Sequence, residues 1–355
     1  MPGRLEVFGK HTDYAGGHSL VAAVPRGFTV TAEPARDGAV TVIDTASGER
    51  AVFDARGRAA ASVGWRTYPA TVVRRLGRNF PGADLSARIA FSSSLPAAAG
   101  LSSSSALVIA VAESLIACAA LEGTEPWRAN IRTLEDRASY FGCIENGSRF
   151  GTLDGDEGVG THGGSEDHAA IVMSRAGYLR QFVFSPLRSE RLVKMPAGWT
   201  FVIAWSGVHA VKTGGAREAY NRLADPAAMT GARLAHFRAE DARVTAAAAA
   251  FEAADIPRIG ELAAASQRDA DALLGNQVPE TRDLVAAALS EGAAAASSFG
   301  AGWGGSVWAL VREPHAEAFG AAWLAAYRAR HPQRPSGAFV AFPANSSRLI
   351  FPGRE

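Results

Sequence analysis

The chain has 355 residues, and at roughly 100–200 residues per domain that length predicts two domains. Lys and Arg total 36 against 35 Asp and Glu, a net charge of +1, which argues against a polybasic nucleic-acid surface and an acidic tail. Hydrophobic residues are 48% and charged ones 20%, the balance of a globular chain rather than a disordered one. Two cysteines, Cys118 and Cys143, make no disulfide framework. No signal peptide stands in the opening MPGRLEVFGK. The most apolar run, Leu107 to Leu121, contains Glu113 and is too short to span a bilayer. A soluble, cytoplasmic protein with neither a membrane nor a nucleic-acid partner is the expectation; the oligomeric state is not legible.

In chain order, Leu5 to Phe8, Leu20 to Val24, Phe28 to Ala32 and Val40 to Asp44 read as short strands separated by Gly, Pro and Asp turns. Leu85 to Ser92 alternates as another strand. Helical patterns follow over Ser104 to Leu121 and Pro126 to Asn146. Phe150 to Asp167 reads as loop, and Ala169 to Met173, Leu179 to Phe184 and Phe201 to Trp205 as strands. Beyond Lys212 the texture turns Ala-rich and helical: Arg217 to Ala224, Ala232 to Ala254, Ile256 to Leu274 and Pro279 to Glu291. A strand over Val307 to Val311, a helix over Pro314 to Arg330 and a strand over Gly337 to Ala341 complete the pattern. Strands first and helices later predict an α+β protein in two halves, 1–190 and 191–355, with the boundary near Pro186 to Gly198.

Three glycine-rich segments carry the chemistry. In the first, Gly100-Leu101-Ser102-Ser103-Ser104-Ser105 follows a strand and opens a helix. Glycine lets a ligand approach the backbone, and the free N–H groups of a helix start attract an anion such as phosphate. A serine hydroxyl there can also bind Mg²⁺. A helix cap would need one serine, not four. The second segment, Gly300-Ala301-Gly302-Trp303-Gly304-Gly305, matches G-x-G-x-x-G. A helix is expected before it and a strand after it, the reverse of a dinucleotide fingerprint. In the third, Gly163-Gly164-Ser165-Glu166-Asp167-His168, a carboxylate after a glycine loop could be a general base or could cap the element that follows. No G-x-x-x-x-G-K-[ST], H-E-x-x-H, G-x-S-x-G or C-x-x-C occurs. Irregular His spacing without a Cys partner argues against a His-based metal site.

Taken together, in this order, the segments resemble the three signatures of the GHMP small-molecule kinases. Gly3-Arg4 through His11-Thr12-Asp13-Tyr14 to Gly16-Gly17 is similar to the galactokinase signature G-R-V-N-L-I-G-E-H-T-D-Y-N-G-G, and Glu145-Asn146 followed by Gly163 to His168 is similar to the stretch A-E-N/H … G-x-M-D-Q. The resemblance implies a ribosomal-protein-S5-like first half and a ferredoxin-like second half, with the active site between them. It implies an ATP-dependent sugar 1-kinase, most simply a galactokinase. On that resemblance Gly100, Leu101, Ser102, Ser103 and Ser104 would hold the ATP phosphates. Ser104 and Glu145 would hold Mg²⁺, with the serine register open by one. Asp167 would take the proton of the anomeric hydroxyl, Arg4 would keep Asp167 ionised, and His11, Asp13, Gly164 and Glu166 would line the sugar site.

Several positions depart from the galactokinase pattern. Lys10 stands where the family has a sugar-binding Glu, and Glu6 where it has Asn, so an ion pair between them is one expectation. Glu166 and His168 replace the Met and Gln flanking the aspartate. The segment Ser206 to Gly215 is similar to the family's sugar-proximal stretch, but its Tyr is missing; Tyr220 lies four residues further on. The chain also starts close to Arg4, without the longer leading segment of many galactokinases. Lys10 as a substrate-binding cation would suit a sugar acid such as galacturonate; L-arabinose is a third acceptor. A non-sugar GHMP kinase and a non-catalytic sensor are the remaining readings.

Overall fold

The computed structural model describes residues 1–58, 62–97, 99–208 and 215–347. Its first half is a sheet backed by helices: β1 (Pro2–Phe8), β2 (His18–Pro34), β3 (Ala39–Asp44), β4 (Arg50–Asp54), α1 (Thr67–Asn79), β5 (Ala87–Ser93), α2 (Ser103–Cys118), α3 (Glu125–Asn130), α4 (Leu134–Asn146), α5 (Glu166–Met173), β6 (Tyr178–Val183) and β7 (Arg188–Lys194). The strands run in the order β4-β3-β5-β2-β6-β7, with β1 beside β2. Among the described residues of this sheet only β3 and β5 pair in parallel. Helix α2 is buried from Ser105 to Ile116, which is why that stretch is apolar all round rather than on one stripe.

The chain changes sheet between Lys194 and Trp199. The second half contains β8 (Trp199–Trp205), α6 (Gly215–Ala224), α7 (Gly231–Glu252), α8 (Ile256–Asp269), α9 (Pro279–Ser290), β9 (Ala295–Phe299), β10 (Ser306–Arg312), α10 (Ala316–Arg330) and β11 (Gly337–Ala341). Its antiparallel sheet has the order β11-β8-β10-β9. One apolar core joins the halves: Leu5 and Phe8 share it with Phe201 and Trp308, and the rings of Phe8 and Trp308 lie 6.1 Å apart. Residues 343–347 cross back to the first half, where Ala344 N donates to Ala23 O at 2.8 Å and Ser347 N to Ile171 O at 2.8 Å.

Several expected elements are redrawn. The runs Leu20 to Val24 and Phe28 to Ala32 belong to one 17-residue strand, β2. Pro25 interrupts nothing because it falls at a bulge: as β1 steps from Pro2 to Arg4, its partner moves from Gly27 to Ala23, so no ladder bond is lost. The helix expected over Pro126 to Asn146 is two helices. Thr133 is extended and caps α4, its Oγ1 accepting Asp136 N at 3.0 Å while Asp136 Oδ2 accepts Thr133 N at 3.0 Å. Ala169 to Met173 is helix, not strand; it is the apolar end of α5, whose first turn is Glu166 and Asp167. The helix over Ile256 to Leu274 passes at Ala270 into a π turn ending at left-handed Gly275. A strand, β9, precedes Gly300 where a helix was expected; the exclusion of a dinucleotide fingerprint stands because β10, not a helix, follows. Strands β4 and β7 and helix α1 are additions to the expected set.

Candidate active site

The three glycine segments meet at the end of β1. Arg4 N donates to Leu101 O at 3.1 Å, which anchors the serine-rich loop to the strand carrying Arg4. Across from it lies the turn between β9 and β10. Gly100 and Gly300 both have positive φ, 73° and 80°, and a Cβ on Gly300 would stand 3.3 Å from Gly100 O. Only glycine combines that backbone shape with that approach. Ser306 Oγ closes the contact, donating to Ala99 O at 2.5 Å.

Between these loops lies a cleft enclosing about 540 Å³, mouth included. Helix α5 begins there, and its first turn carries Asp167 to Arg4, with Arg4 Nε 2.6 Å from Asp167 Oδ1. Ser105 Oγ lies 3.3 Å from Asp167 Oδ2, and Glu166 Oε1 lies 3.3 Å from Arg4 Nε. Arg4 is 6% exposed, so this is no surface ion pair. Burial opposes its charge, but Asp167, Glu166 and Glu6 outweigh burial and raise its pKa above the ordinary arginine value.

The turn after β1 forms the opposite wall. His11 is left-handed at φ 58°. Its Nε2 lies 3.0 Å from Ala301 O and its Nδ1 2.7 Å from Tyr14 Oη. A carbonyl only accepts, so Nε2 carries the proton and Nδ1 accepts from the tyrosine, an assignment made from the partners. Asp13 Oδ2 accepts Glu166 N at 3.4 Å. A Cβ on Gly164 would stand 2.3 Å from the same oxygen, which is the local reason for that glycine. Burial, then Asp167, raises the pKa of the Asp13 carboxyl.

The absent family tyrosine has a spatial counterpart: Tyr220 on α6 lines the cleft, its ring 5.6 Å from His11 and 6.0 Å from Tyr14. Burial, then Asp13, raises its pKa well above the ordinary value. His209 and Lys212 lie outside the described residues. Asn146, Thr161 and His168 also line the cleft; Asn146 and His168 lie within the quoted motifs, whereas the sequence around Thr161 held no signal beyond proximity to them.

Arg4, His11, Asp13, Glu145, Gly164, Glu166 and Asp167 thus converge on the cleft. Of the serine run, Ser105 lines it. Gly100 and Leu101 make the loop behind it, Ser102 is left-handed at φ 59°, and Ser103 and Ser104 open α2. Glu145 faces His168, Nε2 to Oε2 being 3.0 Å. Lys10 is not brought to the cleft. It is 1% exposed, and its Nζ donates to Ser266 Oγ at 2.7 Å and Ser297 Oγ at 2.9 Å rather than pairing with Glu6. Glu240 stands behind it, its Oε1 accepting Gly9 N at 3.1 Å and Ser266 Oγ at 2.8 Å.

A serine-rich helix start facing a glycine turn, across a cleft between a mixed sheet and an antiparallel one, defines a GHMP kinase. Family models agree: GHMP kinases N terminal domain matches residues 67–140, GHMP kinases C terminal matches 247–329, and the galactokinase galactose-binding signature matches 2–34. The galactokinases of Mycobacterium bovis and Mycobacterium tuberculosis are each 30% identical over 340 residues, 87% of either chain. The chain belongs to the galactokinase family. Among solved structures, Lactococcus lactis galactokinase complexed with galactose superposes with a TM-score of 0.82 at 21% identity, covering 98% of this chain and 94% of that one. Streptococcus pneumoniae phosphomevalonate kinase, in complex with phosphomevalonate and AMPPNP, gives 0.68 at 14% identity over 92% and 95%.

Proposed function

We propose that this chain transfers the γ-phosphoryl group of ATP to the anomeric hydroxyl of galactose. The observation that carries the proposal is the buried Arg4–Asp167 pair, 2.6 Å apart, at the junction of the serine-rich loop and the galactose-binding signature. In this reading Asp167 accepts the proton of the attacking hydroxyl, and Arg4 balances charge on that oxygen. His11, Asp13, Gly164 and Tyr220 set the sugar's orientation. The N-terminus of α2, with Gly100 to Ser104 before and within its first turn, takes the phosphates. Phosphoryl transfer asks for positioning and charge neutralisation more than covalent chemistry, which suits this inventory.

Mg²⁺ fits the donor set. Among the described residues no three His, Cys, Asp or Glu side chains converge as a metal cage, and Mg²⁺ on a nucleotide ordinarily takes one or two protein carboxylates besides phosphates and water. Glu145 would be that carboxylate, with Ser104 or its neighbour Ser105 supplying a hydroxyl. The ion supplies neutralisation of phosphate charge when bound. His168 orients Glu145.

Among the described residues no helix is long and apolar enough to cross a membrane; a cytoplasmic location and the division into 1–190 and 191–355 are part of this reading. The buried position of Lys10 removes the argument for a sugar acid. The test is ADP release from ATP and Mg²⁺ against galactose, galacturonate, L-arabinose, glucose and N-acetylgalactosamine. Turnover led by galactose supports the reading, and absence of turnover with every sugar sinks it.

A further inference from the structure

Two carboxyls in the cleft make no contact with the reacting groups in the transfer proposed above. Glu6 on β1 and Glu166 at the start of α5 are each 4% exposed, and both line the cleft. Each carboxyl acts on the other's ionisation, and two buried carboxyls in one cleft disfavour carrying charge together. Burial raises the pKa of both, and the nearness of Glu6 raises Glu166 further. Arg4, with Nε 3.3 Å from Glu166 and 2.6 Å from Asp167, favours ionisation of both glutamates, but burial outweighs it. Glu6 Oε1 is buried without a hydrogen-bond partner, an acceptor facing a cleft and waiting for a donor. Asp13 and Asp167 add two more carboxyl groups to the same cleft. Lys10, whose Nζ is hydrogen-bonded inside the protein, eases the charge of Glu6 only in part, burial still holding its pKa up.

We propose that Glu6 and Glu166 form an acidic subsite that reads the charge of the sugar's substituents, admitting a protonated amine beside the neutral hydroxyl and rejecting a carboxylate. The inference rests on the sugar-kinase reading above. An ammonium brings donors for the orphan Glu6 oxygen and favours the ionised form of Glu166, whose proton leaves to solvent. A sugar acid would bring a further carboxylate into a cleft already holding the carboxyl groups of Glu6, Asp13, Glu166 and Asp167. A metal ion is the poorer occupant, since among the described residues no set of three ligating side chains converges.

The experiment compares kcat/KM for galactose, its 2-amino and 6-amino deoxy derivatives and galacturonate near pH 6, in the wild type and in Glu6→Gln, Glu166→Gln and Glu166→Met. At least one amino sugar should come within about tenfold of galactose, and galacturonate should fall about a hundredfold or more below it. Each substitution should lower the amino-sugar to galactose ratio about tenfold. A ratio unmoved in all three variants while galactose is still turned over overturns the subsite. Should a variant fail to fold, calorimetry on the wild type decides: amino-sugar binding, measured in two buffers of different ionisation enthalpy, should release a proton, and binding without release overturns the proposal. If galactose itself is not turned over, the kinase reading fails separately, and the same calorimetric comparison of amino sugar, galactose and galacturonate still decides the subsite.

Discussion

Arg4 Nε and Asp167 Oδ1 stand 2.6 Å apart although 163 residues separate them in the chain. Strand β1 and the first turn of α5 must both be in place before the pair exists, and Ser105 from a third element reaches the same carboxylate.

Replacing Asp167 by Asn keeps the shape and removes the acceptor charge. Turnover of galactose should fall by about 10²–10⁴-fold, the usual worth of a positioned general base, while calorimetry still detects galactose binding. Near-normal rates in Asp167→Asn would remove Asp167 from the chemistry.

Gly164→Ala places a methyl group 2.3 Å from Asp13 Oδ2 and 2.9 Å from Tyr14 N. Backbone cannot yield cheaply, so KM for the sugar should rise about tenfold or more with KM for ATP little changed. Gly163→Ala meets the end of a flexible side chain, Tyr220 Oη at 2.9 Å, and should cost less. Steady-state kinetics on the two variants should rank them in that order.

Lys10→Met should destabilise the fold by about 1–3 kcal/mol, the usual cost of leaving buried hydrogen-bonding groups such as the Ser266 and Ser297 hydroxyls without their partner. Arg243, 3.0 Å from Glu240 Oε2, still pairs with Glu240 in that variant. Burial opposes ionisation of Glu240, but Lys10, His236 and the hydrogen bonds from Gly9 and Ser266 overcome it and lower its pKa. Urea unfolding of Lys10→Met and Lys10→Glu, against the wild type, measures this. A loss under about 0.5 kcal/mol in Lys10→Met would show that the buried ammonium contributes nothing to holding this cluster.

The pH dependence of stability should carry the mark of Glu166. Its folded pKa is raised well above 4.5, first by burial and then by Glu6. Between the ordinary glutamate value and the raised one, the native state holds a proton that the unfolded chain has released. That contribution is therefore complete at low pH and is lost as pH climbs through the raised value. Unfolding midpoints from acid to mildly alkaline pH should fall for the wild type and fall less steeply for Glu166→Gln. Parallel profiles would assign the slope to other groups.

Much of the site was legible because its residues sit in short runs with local meaning. Gly100 to Ser105, Gly163 to His168 and His11 to Tyr14 each announce a ligand-facing loop. What stayed hidden depends on distant partners. The direction of Lys10 is set by Ser266 and Ser297, more than 250 residues away (separations 256 and 287), so the charge in the motif suggested a sugar contact where the fold makes a buried anchor. Tyr220 reaches the cleft only because α6 packs there. Ala169 to Met173 is an apolar run too short for periodicity to separate helix from strand. Helix α1 escaped because Tyr68, Val72 and Val73 favour strands and Pro69 punctuates, although Pro is tolerated in a first helical turn.

The hydrogen bond from His11 to Ala301 O spans 290 residues, and that separation sets a clock on synthesis. At roughly 5–20 residues per second, the ribosome adds the turn at Ala301 roughly 15–60 s after His11. Throughout that interval the signature loop and its charged neighbours have no opposing wall. A nascent chain halted after the first sheet would hold Arg4 and Asp167 but lack β9, β10 and their glycine turn. Catalytic competence therefore arrives late and all at once, and the unfinished chain has an unclosed acidic cleft to shield from the crowded cell in the meantime.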